Sequence, residues 1–269
     1  MILPLLLLFG GVFTGISSGL LGIGGGTILV PLQYWALSQY SITGDIAMRI
    51  ALGTSLLIIF PTVIAGTIKH SRMGAVVWRV SLVLGITGAF GSAIGGMAAA
   101  HLPDLILKRI FSVIVFFAAF RMLFQMPSKE TRSFTFKTSV FLGLILCGLC
   151  AGVISGLVGI GGGLIIVPLL VMTFHFDIHK AIGTSTATIP FMISGGIIAY
   201  LIEGIKIKES LPPYSFGYLN LALFALLIIT TIPAAYWGAH LTHKLPKNVL
   251  RKGFSILLFL IGLKMSNLI

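Results

Sequence analysis

One glycine-rich string occurs twice in this chain, and it fixes the plan of anything the chain can fold into. GISSGLLGIGGGTILVPL at residues 15–32 returns as GVISGLVGIGGGLIIVPL at 152–169. ALGTS at 51–55 returns as AIGTS at 181–185, and HLPDLILKRIFSVIVFFAAFRML at 101–123 returns as KLPKNVLRKGFSILLFLIGLKM at 244–265. The shared strings keep their order, so the chain is a duplication of one unit. Residues 1–125 form the first repeat and 138–269 the second. The polar stretch MPSKETRSFTFK at 126–137 links them.

The composition names the solvent. Hydrophobic residues make up 57% of the chain and charged residues only 9%, against about 25% charged in a water-soluble protein. Too little polar surface exists to face water, so the lipid bilayer is the expected surrounding. A net charge of +12 raises nucleic acid as a partner. The basic residues, however, stand singly or in small groups between apolar runs, as topogenic charges do. No basic helix or aromatic platform accompanies them, which argues against nucleic acid. Cys147 and Cys150 form a lone CxxC inside an apolar run, with no second pair and no nearby acid. They read as packing residues, not as a metal or redox site, and no cofactor is implied. Residues 1–11 resemble a signal-peptide core without its basic flank and run into the repeated string, so they are expected to stay as a span.

Each half reads as five apolar segments, at 1–21, 27–40, 46–68, 75–100 and 104–124, then 138–158, 164–176, 181–202, 215–240 and 248–265. The second of each set is too short to span: roughly 14 helical residues cover about 21 Å of a core about 30 Å thick. The GIGGG before it then lies at membrane depth, where irregular backbone is tolerated only inside protein or along a watery cavity. If all five segments cross, the halves are inverted, and 12 Lys and Arg collect on one side against 6 on the other. Counting each broken pair as one crossing gives eight segments and a 10 to 8 split. The positive-inside rule favours five plus five, with both termini outside. The expected fold is an all-α polytopic membrane protein of 8 to 10 segments, with two inverted repeats and glycine-broken helices.

The glycine breaks are the first candidate site. Three successive glycines, Gly24, Gly25 and Gly26 or Gly161, Gly162 and Gly163, weaken a helix by about 1 kcal/mol each and leave backbone amides approachable. Amides turned into a cavity ahead of a helix N-terminus bind anions, and broken helices in inverted repeats are a recurring transporter plan. The competing explanation is close helix packing through small residues. TILVP and LIIVP leave open whether the helix starts at once or only near Pro31 and Pro168. Gly53, Thr54 and Ser55, with Gly183, Thr184 and Ser185, supply hydroxyls that bond their own backbone or serve as neutral ligands. Ser18 and Ser155 precede the breaks and join the candidate list.

Other chemistry fails on the residues. GISSG at 15–19 matches a hydrolase elbow, but it lies in a span, and its repeat has Ile154 where Ser17 would be the nucleophile. GIGGG misses the dinucleotide fingerprint, with Thr27 and Leu164 at the final glycine position. No catalytic or metal residue is assigned. All six acids (Asp45, Asp104, Glu130, Asp177, Glu203, Glu209) fall in loops or at segment ends, so no carboxylate in a span relays protons or holds sodium. The six histidines are expected at the interface, and Tyr34, Trp35 and Trp78 in the aromatic belt.

The doubled G-x-G-G-G…P string, the following GTS and the repeat of four to five segments resemble the TauE/SafE sulfite exporter family over essentially the whole chain. That resemblance implies a secondary carrier, commonly drawn with eight spans, in a bacterial-type plasma membrane. The implied substrate is a small sulfur-containing anion such as sulfite, sulfoacetate or an organosulfonate. An anion channel or a non-transporting scaffold are the rival expectations. With no acid in a span, the simplest drive is the membrane potential, about 2.3 kcal/mol per charge per 100 mV in favour of export. Uptake would need a proton carried by the substrate or by a histidine.

Overall fold

The computed structural model describes residues 2–42, 44–124, 138–207 and 211–242, and residues 259, 260, 262 and 263. The linker at 126–137 and most of the last expected segment, 248–265, lie outside the described residues. The described chain forms α1 (Ile2–Leu21), α2 (Gly26–Ser38), α3 (Gly44–Arg72), α4 (Trp78–His101), α5 (Asp104–Phe124), α6 (Thr138–Val158), α7 (Gly163–Met172), α8 (Ile178–Ile205) and α9 (Leu221–Leu241). A two-residue hairpin, β1 (Ser215–Phe216) and β2 (Leu219–Asn220), precedes α9 and occupies residues expected to begin that helix.

Six of these helices (α1, α3, α4, α6, α8 and α9) are long and apolar enough to cross a membrane. α5 has the length, with 21 residues, but carries Lys108, Arg109 and Arg121 and falls outside the six. α2 and α7 are short, as expected, at 13 and 10 residues. α7 stops at Met172, short of the expected 176, and His175 beyond it takes φ 55°. Both short helices start at the last glycine of the break, and Pro31 and Pro168 sit inside them. Each proline lacks the N–H that would bond the carbonyl four residues earlier, on Thr27 or Leu164.

The halves interlock. Gly15 and Gly19 of α1 lie on Thr231, Ala235 and Ala239 of α9. Thr54 and Thr62 of α3 meet Asn220 and Thr231 at the start and middle of the same helix. So α1, α3 and α9 run parallel. In the mirror set, Gly88 and Gly95 of α4 lie on Gly148 and Val153 of α6, while Gly85 and Gly96 lie on Phe191 and Ala199 of α8. So α4, α6 and α8 also run parallel. The two triplets meet along α3 and α8, where Gly53 faces Tyr200 and Gly66 faces Thr186. Those two helices are therefore antiparallel. Each triplet takes its fourth-position helix from the other half of the sequence.

Close approach explains the periodic glycines. Gly11, Gly15 and Gly19 in α1, and Gly148, Gly152 and Gly156 in α6, recur every four residues and so share a face. A Cβ on Gly15 would strike the Thr231 carbonyl, and one on Gly152 the Gly88 carbonyl. Without a hydrophobic force between helices in lipid, such backbone contact supplies the packing. The outer surface carries Phe9, Phe90, Phe117, Ile229 and Trp237, all more than half exposed. The interior holds small polar residues: Thr14, Ser18, Thr54, Ser55, Ser92 and Ser155 are at most 1% exposed. That is the radial order of a protein with lipid around it.

Candidate functional site

The two breaks have one backbone path. Gly22, Gly24 and Gly25 take φ of 66°, 91° and 85°, and Gly159, Gly161 and Gly162 take 67°, 93° and 79°. L-residues with a Cβ are strained in that region, so the path itself requires glycine at these positions. The Gly22 N–H closes α1 on Ser18 O at 2.9 Å, and the Gly159 N–H closes α6 on Ser155 O at 2.9 Å. Gly25 and Gly162 then cap α2 and α7 with no side-chain hydrogen bond. The positive ends of both short helices are left to backbone groups and to whatever approaches them.

The breaks cross at the centre of the bundle. Gly24 and Gly161 both flank Ile59 of α3 and Ile189 of α8. Gly26 lies against the Gly159 carbonyl and Ile160, and Gly163 against the Gly22 carbonyl and Ile23. In this conformation each break covers the start of the other half's short helix.

The Gly-Thr-Ser residues hold this crossing together. Ser55 Oγ is 2.7 Å from Gly159 O and 2.8 Å from Leu52 O, and Ser185 Oγ is 3.0 Å from Gly22 O. Each serine thus donates to the other half's break. The neighbouring threonines act as caps: Thr54 Oγ1 accepts from the Asn220 N–H at 2.9 Å, and Thr184 Oγ1 from the Val77 N–H at 3.0 Å. Asn220 and Val77 are the N-caps of α9 and α4. Gly53 admits the Tyr218 carbonyl and Tyr200, and Gly183 admits Ala75.

Ser18 and Ser155 differ from that set. They are 1% and 0% exposed, yet their hydroxyls have no hydrogen-bond partner among the described residues. Ser18 Cβ lies 3.6 Å from where a Cβ on Gly25 would stand, and Ser155 Cβ lies 3.4 Å from the same point at Gly162. Each break therefore has an unused buried hydroxyl beside its helix-capping glycine. Thr27 and Gln33 on α2 are likewise fully buried with unused polar atoms. The matching positions in the second repeat are Leu164 and Leu170. Sequence reasoning passed over Gln33, although a single amide inside an apolar segment was a visible signal.

It also misjudged His70. The expectation was an interfacial ring, but His70 is 0% exposed, and its Nε2 lies 3.0 Å from Gly19 O on the last turn of α1. The four described acids sit as expected at helix ends, and Glu130 and Glu209 lie outside the described residues. Asp45 and Asp104 lie in first turns, and the N-cap Asp177 accepts from the His179 N–H at 2.9 Å. Glu203, in the last turn of α8, pairs with Lys206 at 2.7 Å. Arg49 and Lys108 gather with Asp45, Asp104, Tyr34 and Tyr218 at the end of the bundle opposite His70. Among the described residues no cluster of His, Cys, Asp and Glu could hold a metal. Cys147 and Cys150 are free thiols, and Cys147 packs against an apolar cluster that joins α4 to α6, α7 and α8.

The family model for the sulfite exporter TauE/SafE matches residues 7–265, a span that includes both breaks and both Gly-Thr-Ser strings. A probable membrane transporter protein of Haemophilus influenzae is 30% identical over 97% of each chain. One of Methanocaldococcus jannaschii is 29% identical over 98% of this chain and 96% of its own. A third, YdhB of Bacillus subtilis, is 27% identical over 93% of this chain and 94% of its own. No solved structure matches. With six apolar helices around a doubled glycine break, and a family match across both halves, this chain is a membrane transporter belonging to the TauE/SafE family.

Proposed function

We propose that the protein is a secondary carrier for a small sulfur-containing oxyanion, such as sulfite, sulfoacetate or an organosulfonate, held between the two breaks. The observation that carries this reading is the pair of unused hydroxyls, Ser18 and Ser155, each beside a short-helix start that has no side-chain cap hydrogen bond. Oxyanion oxygens accept hydrogen bonds and offer none, so a site for them needs donors. Helix N-terminal amides and serine hydroxyls supply donors without a fixed positive charge that would hold the anion too tightly. Gly24, Gly25, Gly26, Gly161, Gly162 and Gly163 give backbone access. Gly53, Thr54, Ser55, Gly183, Thr184 and Ser185 frame the site and keep the breaks in register.

Alternating exposure follows from the crossing. Separating the triplets along α3 and α8 would move Gly159 and Ile160 off the start of α2, and Gly22 and Ile23 off the start of α7. We read the repeats as inverted in a bacterial-type plasma membrane, with the antiparallel course of α3 and α8 as support. A carrier should show labelled-sulfite flux in proteoliposomes that exceeds protein-free vesicles and saturates with concentration. Flux that never saturates would make the protein a channel. No flux for sulfite, sulfoacetate or organosulfonates would overturn the reading in favour of a scaffold.

A further inference from the structure

We propose that His70 is a proton-binding site coupled to the first break, so that the anion crosses together with a proton. The inference rests on the anion-carrier reading above. Its starting point is a matched pair of contacts. His70 Nε2 lies 3.0 Å from Gly19 O, and Tyr200 Oη donates to Gly156 O at 2.9 Å. The repeats place His70 opposite Tyr200 and Gly19 opposite Gly156. Both side chains are fully buried. The fold thus has one structural need in both halves: a donor to a last-turn carbonyl just before the break. The second half meets it with a phenol, which stays neutral at physiological pH. The first half meets it with an imidazole, the side chain that changes charge there.

The unused polar groups are skewed the same way. The first break has Ser18 and Thr27 beside it and Gln33 further along α2, whereas the second has Ser155 with Leu164 and Leu170. So the titratable group and the surplus of unused hydrogen-bonding atoms sit on the same break.

Charge ties the proton to the anion. α1, which supplies the Gly19 carbonyl, has no ionisable side chain. The groups around this end of the bundle are Lys69 and Arg72 on α3, Arg79 on α4, Tyr236 and His240 on α9, and Asp177, His179 and Lys180 where α8 begins. A positive charge on the fully buried His70, at an end of the bundle where cations outnumber the one acid, is unfavourable unless an anion occupies the break. By linkage, the anion binds better where His70 takes its proton, and the proton binds better where the anion is present. A singly charged anion and a proton then cross as a neutral pair. This replaces uncoupled, potential-driven export for such a substrate.

The test compares full-length protein with His70→Tyr, which copies the second repeat's solution, and with His70→Gln. Labelled-sulfite flux is measured in proteoliposomes at zero membrane potential across the neutral pH range. The acid–base chemistry of sulfite itself is common to all three proteins and cancels in the ratio of their rates. The wild-type rate relative to either variant should rise as pH falls, by up to about tenfold per pH unit. A purely structural role would leave that ratio flat, with Tyr restoring any stability that Gln loses. Variants that insert, carry sulfite and keep the wild-type pH profile overturn the proton site while leaving the carrier reading intact. Absence of flux in all three proteins overturns the carrier reading, and the proton site with it.

Discussion

Ser18 and Ser55 bring the same hydroxyl into the same bundle and use it differently. Ser55, like Ser185, donates to a carbonyl of the opposite break. Removing either hydroxyl leaves a buried carbonyl unpaired, at a cost of about 1–3 kcal/mol. Ser55→Ala and Ser185→Ala should therefore each lower the Tm of purified protein. Ser18→Ala and Ser155→Ala should leave it nearly unchanged, since no protein group loses a partner. Equal Tm values in all four variants would show that the breaks are not held by these serines. Sequence pattern alone put all four serines among the candidate ligands, because spacing identifies a hydroxyl near a break and cannot tell whether a carbonyl lies opposite. The glycines are poorer probes. Gly25 and Gly162 have positive φ, and a side chain there would also meet Thr14 or the Met192 sulfur. Bulk at either position strains the fold as well as the site.

At the scale of elements, the short second helices and the six long apolar ones were legible, because length and apolar runs are local properties. The point where α2 and α7 begin was not. A proline at the sixth residue allows both a helix around it and an extended approach to it, and only the turn set by Gly25 and Gly162 decides for the helix. The glycines at 11, 15 and 19 and at 148, 152 and 156 were visible as four-residue rows, but their partners α9 and α4 come from the other half. No local pattern names a partner so distant in sequence. The hairpin ahead of α9 was missed for a related reason. It is held by Asn220, which bonds Pro213 O and Ser215 Oγ and caps α9, and the sequence reading took the whole stretch from 215 as one apolar helix.

For the whole molecule, the duplication gave the pairing of elements, and the packing adds that the triplets exchange their fourth-position helices. α3 runs from the end holding Arg49 to the end holding Lys69 and Arg72, and α4 returns from Arg79. The positive-inside rule predicts a cytoplasmic Lys69–Arg79 end. In a background without Cys147 and Cys150, a cysteine at exposed Gln39 should react with a membrane-impermeant thiol reagent in intact cells. A cysteine at Ser71 should not react until the cells are opened. The reverse pattern would invert the orientation.

If the two breaks together form the anion site, as proposed, sulfite binding to the Ser18→Ala/Ser155→Ala double variant is the sharpest test. A hydrogen bond to a charged ligand contributes about 1.5–3 kcal/mol, so the paired loss should weaken affinity by at least about a hundredfold if both hydroxyls contact the anion. That loss is expected together with an unchanged Tm. Wild-type affinity in the double variant would contradict it.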